Sequence, residues 1–129
     1  IYKTVGNNLA TKNMISFFIS FYRFTKILFI GIKNDPEFRF LLFFIILLLV
    51  GSTIFYTNIE NWSIIDSLYF SVMTMATIGY GDFVPTTPFS KVFTIIYTFL
   101  SIGAFVAFTA KSISLTYDNH NSLKKILKK

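Results

Sequence analysis

The 129-residue chain has no cysteine, and only 14% of its residues are Asp, Glu, Lys or Arg. Without cysteine there is neither a disulfide-stapled secreted domain nor a thiolate metal site. An ordinary soluble domain carries about 25% charge, so a water-facing surface of the usual kind is missing as well. The single histidine, His120, sits in a polar tail and reads as solvated. No carboxylate pair, nucleophile beside a base, or metal-ligand cluster stands at a spacing that catalysis needs, which argues against an enzyme and against any cofactor. Neither GxxxxGK[ST] nor GxGxxG occurs, so those phosphate-cradling loops are absent.

Grease is abundant. Apolar residues make up 53% of the chain, 17 are Phe, and the mean hydropathy is +0.61. Such a chain is not a disordered tail, and its length suits two membrane-spanning helices with flanks. Residue 1 is Ile rather than Met, which points to a processed chain or a piece of a longer one. From Phe38 to Thr57 the only charge is Arg39, at the very start. Twenty helical residues cover ~30 Å, the thickness of the hydrocarbon core. The run has no polar stripe, and its start carries Asp35 as N-cap, Pro36 at N1 and Glu37 at the positive helix end. A second span is predicted over 88–110, opened by Thr87 and Pro88 and closed by Lys111, with Gly103 near its middle as a packing or bending point.

Of the 12 Lys and Arg, only Lys91 lies between the spans. The positive charges therefore put both termini in the cytoplasm of a cell-membrane protein. The net charge of +6 then reads as topology, not as a nucleic-acid footprint. Between the spans Glu60, Asp66 and Asp82 give an acidic surplus that favours cations near an outer mouth. Tyr56, Trp62 and Tyr69 suit an outer interfacial belt. Residues 113–129 form a basic tail able to touch anionic lipid. In residues 1–34, Asn13, Ser16, Ser20, Arg23 and Lys26 follow helical steps and make a narrow polar stripe. That favours an amphipathic helix lying in the cytoplasmic interface; the alternative is a third span. A cationic membrane-binding protein built on this segment and the tail is the competing functional class.

The segment between the spans is no simple loop. Ser63 and Asp66 form a capping box ahead of an apolar helix over 64–76. That helix is too short to cross, so it must re-enter and leave its carbonyl end facing an aqueous cavity. Next comes Thr77-Ile78-Gly79-Tyr80-Gly81-Asp82. Glycine takes positive φ cheaply. Alternated with L-residues it lets successive carbonyls face one line, where rings of oxygens replace a cation's water shell.

TIGYGD, behind a short capped helix and between two spans, resembles the selectivity-filter signature of potassium channels, over residues 35–112. The resemblance implies an all-α membrane protein: two transmembrane helices, a re-entrant pore helix and an extended filter loop, assembled as a fourfold homotetramer in the bilayer. It implies potassium ions as permeant ligand, bound by the carbonyls of Thr77, Ile78, Gly79 and Tyr80 and the Thr77 hydroxyl. Gly81 would shape the outer mouth, and Asp82 would tie the filter to the pore helix. Tyr69 and Phe70 would form an aromatic collar around Tyr80. Gly103 would be the hinge of the inner helix, with Phe99, Val106, Ala107 and Ala110 lining a cavity or gate. Phe105 and Phe108 are read as constricting the pore or facing lipid. Two departures stand out. Ala76 replaces a threonine, and Val72-Met73 offers no carboxylic acid to pair with Asp82, which leaves Tyr69 or water as its partner.

Overall fold

The computed structural model describes residues 2–127. Four helices follow in order: α1 (Tyr2–Asn34), α2 (Pro36–Ile59), α3 (Ile64–Met75) and α4 (Pro88–Leu127). No strand occurs among the described residues. Three helices are long and apolar enough to cross a membrane by length and composition: Leu9–Asn34, Pro36–Ile59 and Pro88–Leu127.

Helix α2 starts where its chemistry directs. Asp35 is extended, and its carboxylate accepts from the amides of Glu37 at 3.0 Å and Phe38 at 3.2 Å. The Phe38 amide first, and Lys111 further down the order, hold the Asp35 carboxyl below its ordinary value. Lys111 reaches this joint from α4, 2.6 Å from Glu37 and 3.2 Å from Asp35. The helix ends at Ile59 because Asn61 takes a φ of +55°, a conformation asparagine tolerates just past a helix end. Helix α3 is capped by Ser63, whose hydroxyl accepts the Asp66 amide at 3.1 Å and donates to the Asp66 carboxylate at 2.7 Å. The return bond of the capping box thus goes to the cap's hydroxyl rather than to its amide.

Contacts at 111 with 37, 94 with 56 and 90 with 60 make α2 and α4 antiparallel. The short α3 fits between them on its small face, where Ser67, Ser71 and Met75 are buried at helical spacing. Thr57 donates to Ser67 at 3.0 Å and Ser52 to Ser71 at 2.8 Å, while the Tyr97 hydroxyl donates to the Ser71 carbonyl at 3.0 Å. Small hydroxyls of this kind let helices approach closely and bond across the gap, each worth ~0.6–2 kcal/mol in lipid. Tyr56, expected in an outer belt, is instead fully buried and shares a 2.7 Å hydrogen bond with Thr94.

Glu60 latches the outer end. Its carboxylate accepts from the Thr86 amide at 2.9 Å, the Thr86 hydroxyl at 2.7 Å, the Thr87 amide at 3.2 Å and the Ser90 hydroxyl. These donors surround the start of α4, where a negative charge is favoured. Glu60 is therefore tied into the fold, where it keeps its negative charge. Desolvation pushes its carboxyl up, but the donors together outweigh this and hold it at about 2.

Two boundaries differ from the expected ones. Helix α4 runs on to Leu127 rather than stopping at Ala110. Its 40 residues make ~60 Å, twice the hydrocarbon core. No Gly or Pro follows Gly103, and the hydroxyls of Ser112, Thr116 and Ser122 fold back onto carbonyls one turn earlier, so nothing breaks the helix. Lys128 and Lys129, counted in the basic tail, lie outside the described residues. Helix α1 fills nearly the whole amino-terminal third as one element and joins α2 through Asp35 alone. Phe108 packs on Phe38 with ring centroids 5.0 Å apart and is half-buried.

Gly31 is the close approach that seats α1. A Cβ there would come within 2.8 Å of the Phe38 ring and 3.0 Å of Leu115. Phe38 is fully buried and has nowhere to move. Alanine in a helix interior gains ~1 kcal/mol over glycine, against ~1–3 kcal/mol for overpacking. Gly31→Ala is therefore expected to lower the thermal midpoint of the purified protein. Gly51→Ala, where the new Cβ meets nothing within 4 Å, is expected to raise it. For Glu60 the folded pKa lies below the ordinary 4.5. Its stabilisation is thus complete above the unfolded value and drains away as pH falls toward about 2. Thermal melts from pH 7 downward should show wild type losing stability below that ordinary value. Glu60→Gln should melt lower at pH 7, by on the order of 1 kcal/mol after allowing for solvent, and vary less with pH.

Candidate functional site

The segment after α3 turns back onto the helix that precedes it. The Ala76 amide donates to Val72, Thr77 to Thr74 at 3.0 Å, and both Ile78 and Gly79 to the Met73 carbonyl, at 2.9 and 3.2 Å. Carbonyls of the last turn, expected to face an aqueous cavity, are thus met by the chain's own amides. The amides of residues 76–79 are consumed in this way, and the carbonyls of Thr77, Ile78 and Gly79 have no such helical duty.

Backbone conformation then alternates. φ is +59° at Thr77, +52° at Gly79 and +79° at Gly81, and negative at Ile78 and Tyr80. The glycines serve this conformation, since a Cβ at either would meet nothing within 4 Å. Thr77 is a β-branched residue in the left-handed region, which costs ~1–2 kcal/mol. Strain of this kind persists only where its surroundings enforce it, and it gathers at functional sites. The two glycines announce the alternation in the sequence; the positive φ of Thr77 extends it by one residue and has no compositional signal.

Residues 77–82 are all exposed in the single chain, Tyr80 at 71%. A collar of Tyr69 and Phe70 around Tyr80 does not form within one chain. Phe70 packs on Tyr56 at 4.9 Å and on Trp62 at 5.2 Å, and Tyr69 lies 6.2 Å from Phe83. Phe83, which follows the TIGYGD run, also meets Trp62 at 5.2 Å; its aromatic character next to Asp82 was the available clue. Asp82 is an electrostatic neighbour of the Tyr69 hydroxyl.

On α4 the expected hinge and cavity residues share one face. Phe99, Gly103, Val106, Ala107 and Ala110 are exposed, whereas Tyr97, Ser101 and Ala104 are buried against α2 and α3. Gly103 is helical, and a Cβ there meets nothing within 4 Å, so packing inside the chain does not explain it. The exposed face and the exposed loop leave large apolar side chains uncovered, Phe99 at 78% and Ile78 at 49%. No group of acidic or histidine side chains able to hold a metal ion occurs among the described residues.

Comparison with known proteins places this geometry. Residues 43–117 match a family model described as "Ion channel". Among curated proteins, two-pore potassium channel 5 of Arabidopsis thaliana is 44% identical over 37% of this chain and 12% of its own length. Potassium channel protein 1 of Methanocaldococcus jannaschii is 39% identical over 54% and 21%. Two pore potassium channel b of rice is 31% identical over 76% and 30%. The chain thus spans less than a third of the length of these relatives. A solved structure, described as a calcium-activated cation channel from Tsukamurella paurometabola, superposes with a TM-score of 0.58 at 36% identity, covering 67% of this chain and 84% of that one. The family is one of channels and not a class of enzymes, and its match takes in most of α2, all of the short helix, the alternating loop and the exposed face of α4: the chain is an integral membrane protein of the ion-channel family.

Proposed function

We propose that the chain is one subunit of a homotetrameric pore that conducts potassium passively across the cell membrane, with no catalytic step and no cofactor. The observation that carries this reading is the alternation of φ at Thr77, Gly79 and Gly81 in a loop whose amides are tied to α3. Four such loops around an axis bring carbonyls of Thr77, Ile78, Gly79 and Tyr80, with the Thr77 hydroxyl, into rings that replace an ion's waters. Gly81 and Asp82, with Tyr69 beside Asp82, shape the mouth, and Phe70 stiffens the helix behind it. The exposed loop backbone supports assembly, because bare backbone at membrane depth is tolerated only inside protein or along a water-filled path. Phe99, Val106, Ala107 and Ala110 line the inner cavity in this reading, and Gly103 is the hinge. The names of the curated relatives support potassium as the ion.

Residues 35–112 are then the pore domain, 1–34 an amino-terminal region outside it, and 113–129 a basic tail that meets anionic lipid. Both termini lie in the cytoplasm, as the basic residues require. Helix α1 belongs on that side and does not cross. Its residues 22–27 lie against α4 residues 116–120, which are past Lys111 and therefore past the end of the span. The polar stripe of Arg23 and Lys26 faces that helix extension.

Purified protein in liposomes with potassium, rubidium and sodium gradients tests the reading, with native mass on the same sample. Potassium and rubidium flux well above sodium, from a tetramer, is the expected outcome. Gly79→Ala, which puts a Cβ at a φ of +52°, is expected to abolish flux while leaving the helices folded. The structural neighbour's description as a cation channel favours a second reading, a weakly selective pore. Bi-ionic reversal potentials decide between the two, since equal sodium and potassium currents would sink the selective one.

A further inference from the structure

The hydroxyls that reach α3 from its neighbours are not equivalent. Thr57 and Ser52 of α2 bond the side chains of Ser67 and Ser71, at 3.0 and 2.8 Å. Those serine hydroxyls sit on short arms that turn to another rotamer and find another partner. Tyr97 of α4 instead donates to the main-chain carbonyl of Ser71, at 3.0 Å, so its grip is on the helix itself. We propose that the Tyr97 hydroxyl is a positioning group for ion discrimination. Through the Ser71 carbonyl it holds α3, and with it the loop from Thr77 to Tyr80, in the shape that selects potassium. This deepens the reading of the chain as a potassium-conducting subunit and rests on it.

The path from Tyr97 to the loop is short and runs through main chain. Ser71 stands just ahead of Met73 on α3, and the Met73 carbonyl accepts the amides of both Ile78 and Gly79, at 2.9 and 3.2 Å. A slide or twist of α3 at Ser71 therefore carries the Met73 carbonyl along, and with it the loop residues hung on that oxygen. Carbonyl rings select by the size of the cage and by the number and field of its oxygens, and both are set by where this backbone lies. The tyrosine is itself well placed for the task. On α4, Ser90 is tied to Glu60, Thr94 to Tyr56 and Tyr97 to Ser71. Among the described residues the next polar tie from α4 to the rest of the chain is Lys111, beyond Gly103. Tyr97 thus closes the pinned outer part of α4. Behind its ring lies an apolar hollow of about 390 Å³ between α2 and α4, bordered also by Gly51, Phe55 and Phe93. The ring has room to withdraw on that side, so packing alone does not press it onto α3; the hydroxyl bond does.

Bi-ionic reversal potentials in liposomes and amide hydrogen exchange on the same purified protein test this, with native mass to follow assembly. Tyr97→Phe keeps the ring and deletes the bond. It is expected to raise the sodium-to-potassium permeability ratio roughly threefold, the equivalent of one interhelical hydrogen bond of ~0.6 kcal/mol. It should also speed exchange of the amides of residues 76–79. Tyr56→Phe is the matched control. It too deletes a buried tyrosine hydroxyl bonded between helices, but the partner is Thr94 on α4 and the bond does not reach α3. It is expected to lower the thermal midpoint as Tyr97→Phe does, while permeability ratio and loop exchange stay at wild-type values. Ser52→Ala, which leaves the Tyr97 bond in place, should keep the wild-type ratio as well. The proposal is overturned if Tyr97→Phe discriminates between the ions as a selective wild type does, or if its loop amides exchange no faster. It is equally overturned if Tyr56→Phe relaxes selectivity to the same extent, which makes the effect one of general loosening. A Tyr97→Phe chain that no longer assembles makes the hydroxyl a folding group and overturns it too. A wild type that passes sodium as readily as potassium sinks the conduction reading and this inference together, whereas the other outcomes sink this inference alone.

Discussion

A helix of 12 residues has no means of holding itself halfway through a bilayer. Everything downstream of α3 depends on what fixes its depth. Its backbone cannot reach water at both ends, and its apolar residues gain nothing by leaving lipid for a neighbour of equal greasiness. The fixing is done by hydroxyls. Thr57 and Ser52 on α2 and Tyr97 on α4 grip Ser67 and Ser71 on the one face of α3 that is buried. The bonds run at two successive turns, so they set both the height of the helix and its rotation. Glu60 and the start of α4 close the same assembly from the outer side.

With α3 fixed, its carboxyl end becomes a platform. Four successive amides, from Ala76 to Gly79, fold back onto it, and that return obliges the chain to leave in a conformation most residues avoid. Glycine accepts it at 79 and 81, whereas Thr77 bears it as strain. A loop with its donors engaged and its acceptors unengaged suits cations better than anions. In a soluble protein that arrangement would hydrate at once; in a membrane it needs copies of itself around it.

Much of this was legible in the sequence, where local chemistry decides the outcome. Asp35-Pro36, Ser63 and Thr87-Pro88 mark helix starts because capping acts over three or four residues. Hydrophobic runs mark spans because lipid leaves few alternatives. The alternation at Gly79 and Gly81 was legible because only glycine takes that backbone freely. What stayed hidden is whatever depends on a distant partner. The length of α4 beyond Ala110 follows from the absence of a breaker and from hydroxyls bonding backward, signals that polar residues blur. Glu60 looks like an outer-mouth charge until Thr86, Thr87 and Ser90 come round to meet it. Tyr56 carries the amphipathic signature of an interfacial residue and is buried because Trp62, Phe70 and Phe93 close on its ring and Thr94 meets its hydroxyl. The aromatic set behind the loop recruits Phe83 and Trp62, which no spacing rule connects with Phe70.

The joint at residue 35 leaves almost no slack. A single non-helical residue separates two long helices, and the Lys111 ammonium straddles it by binding on both sides, at Asp35 and Glu37. Phe38 and Leu115 both crowd Gly31 just beneath. A twist of α1 therefore reaches the base of α4 rather than being absorbed at the joint. The amino-terminal helix and the base of α4 are fastened at one point, so a pull on the first is felt by the second.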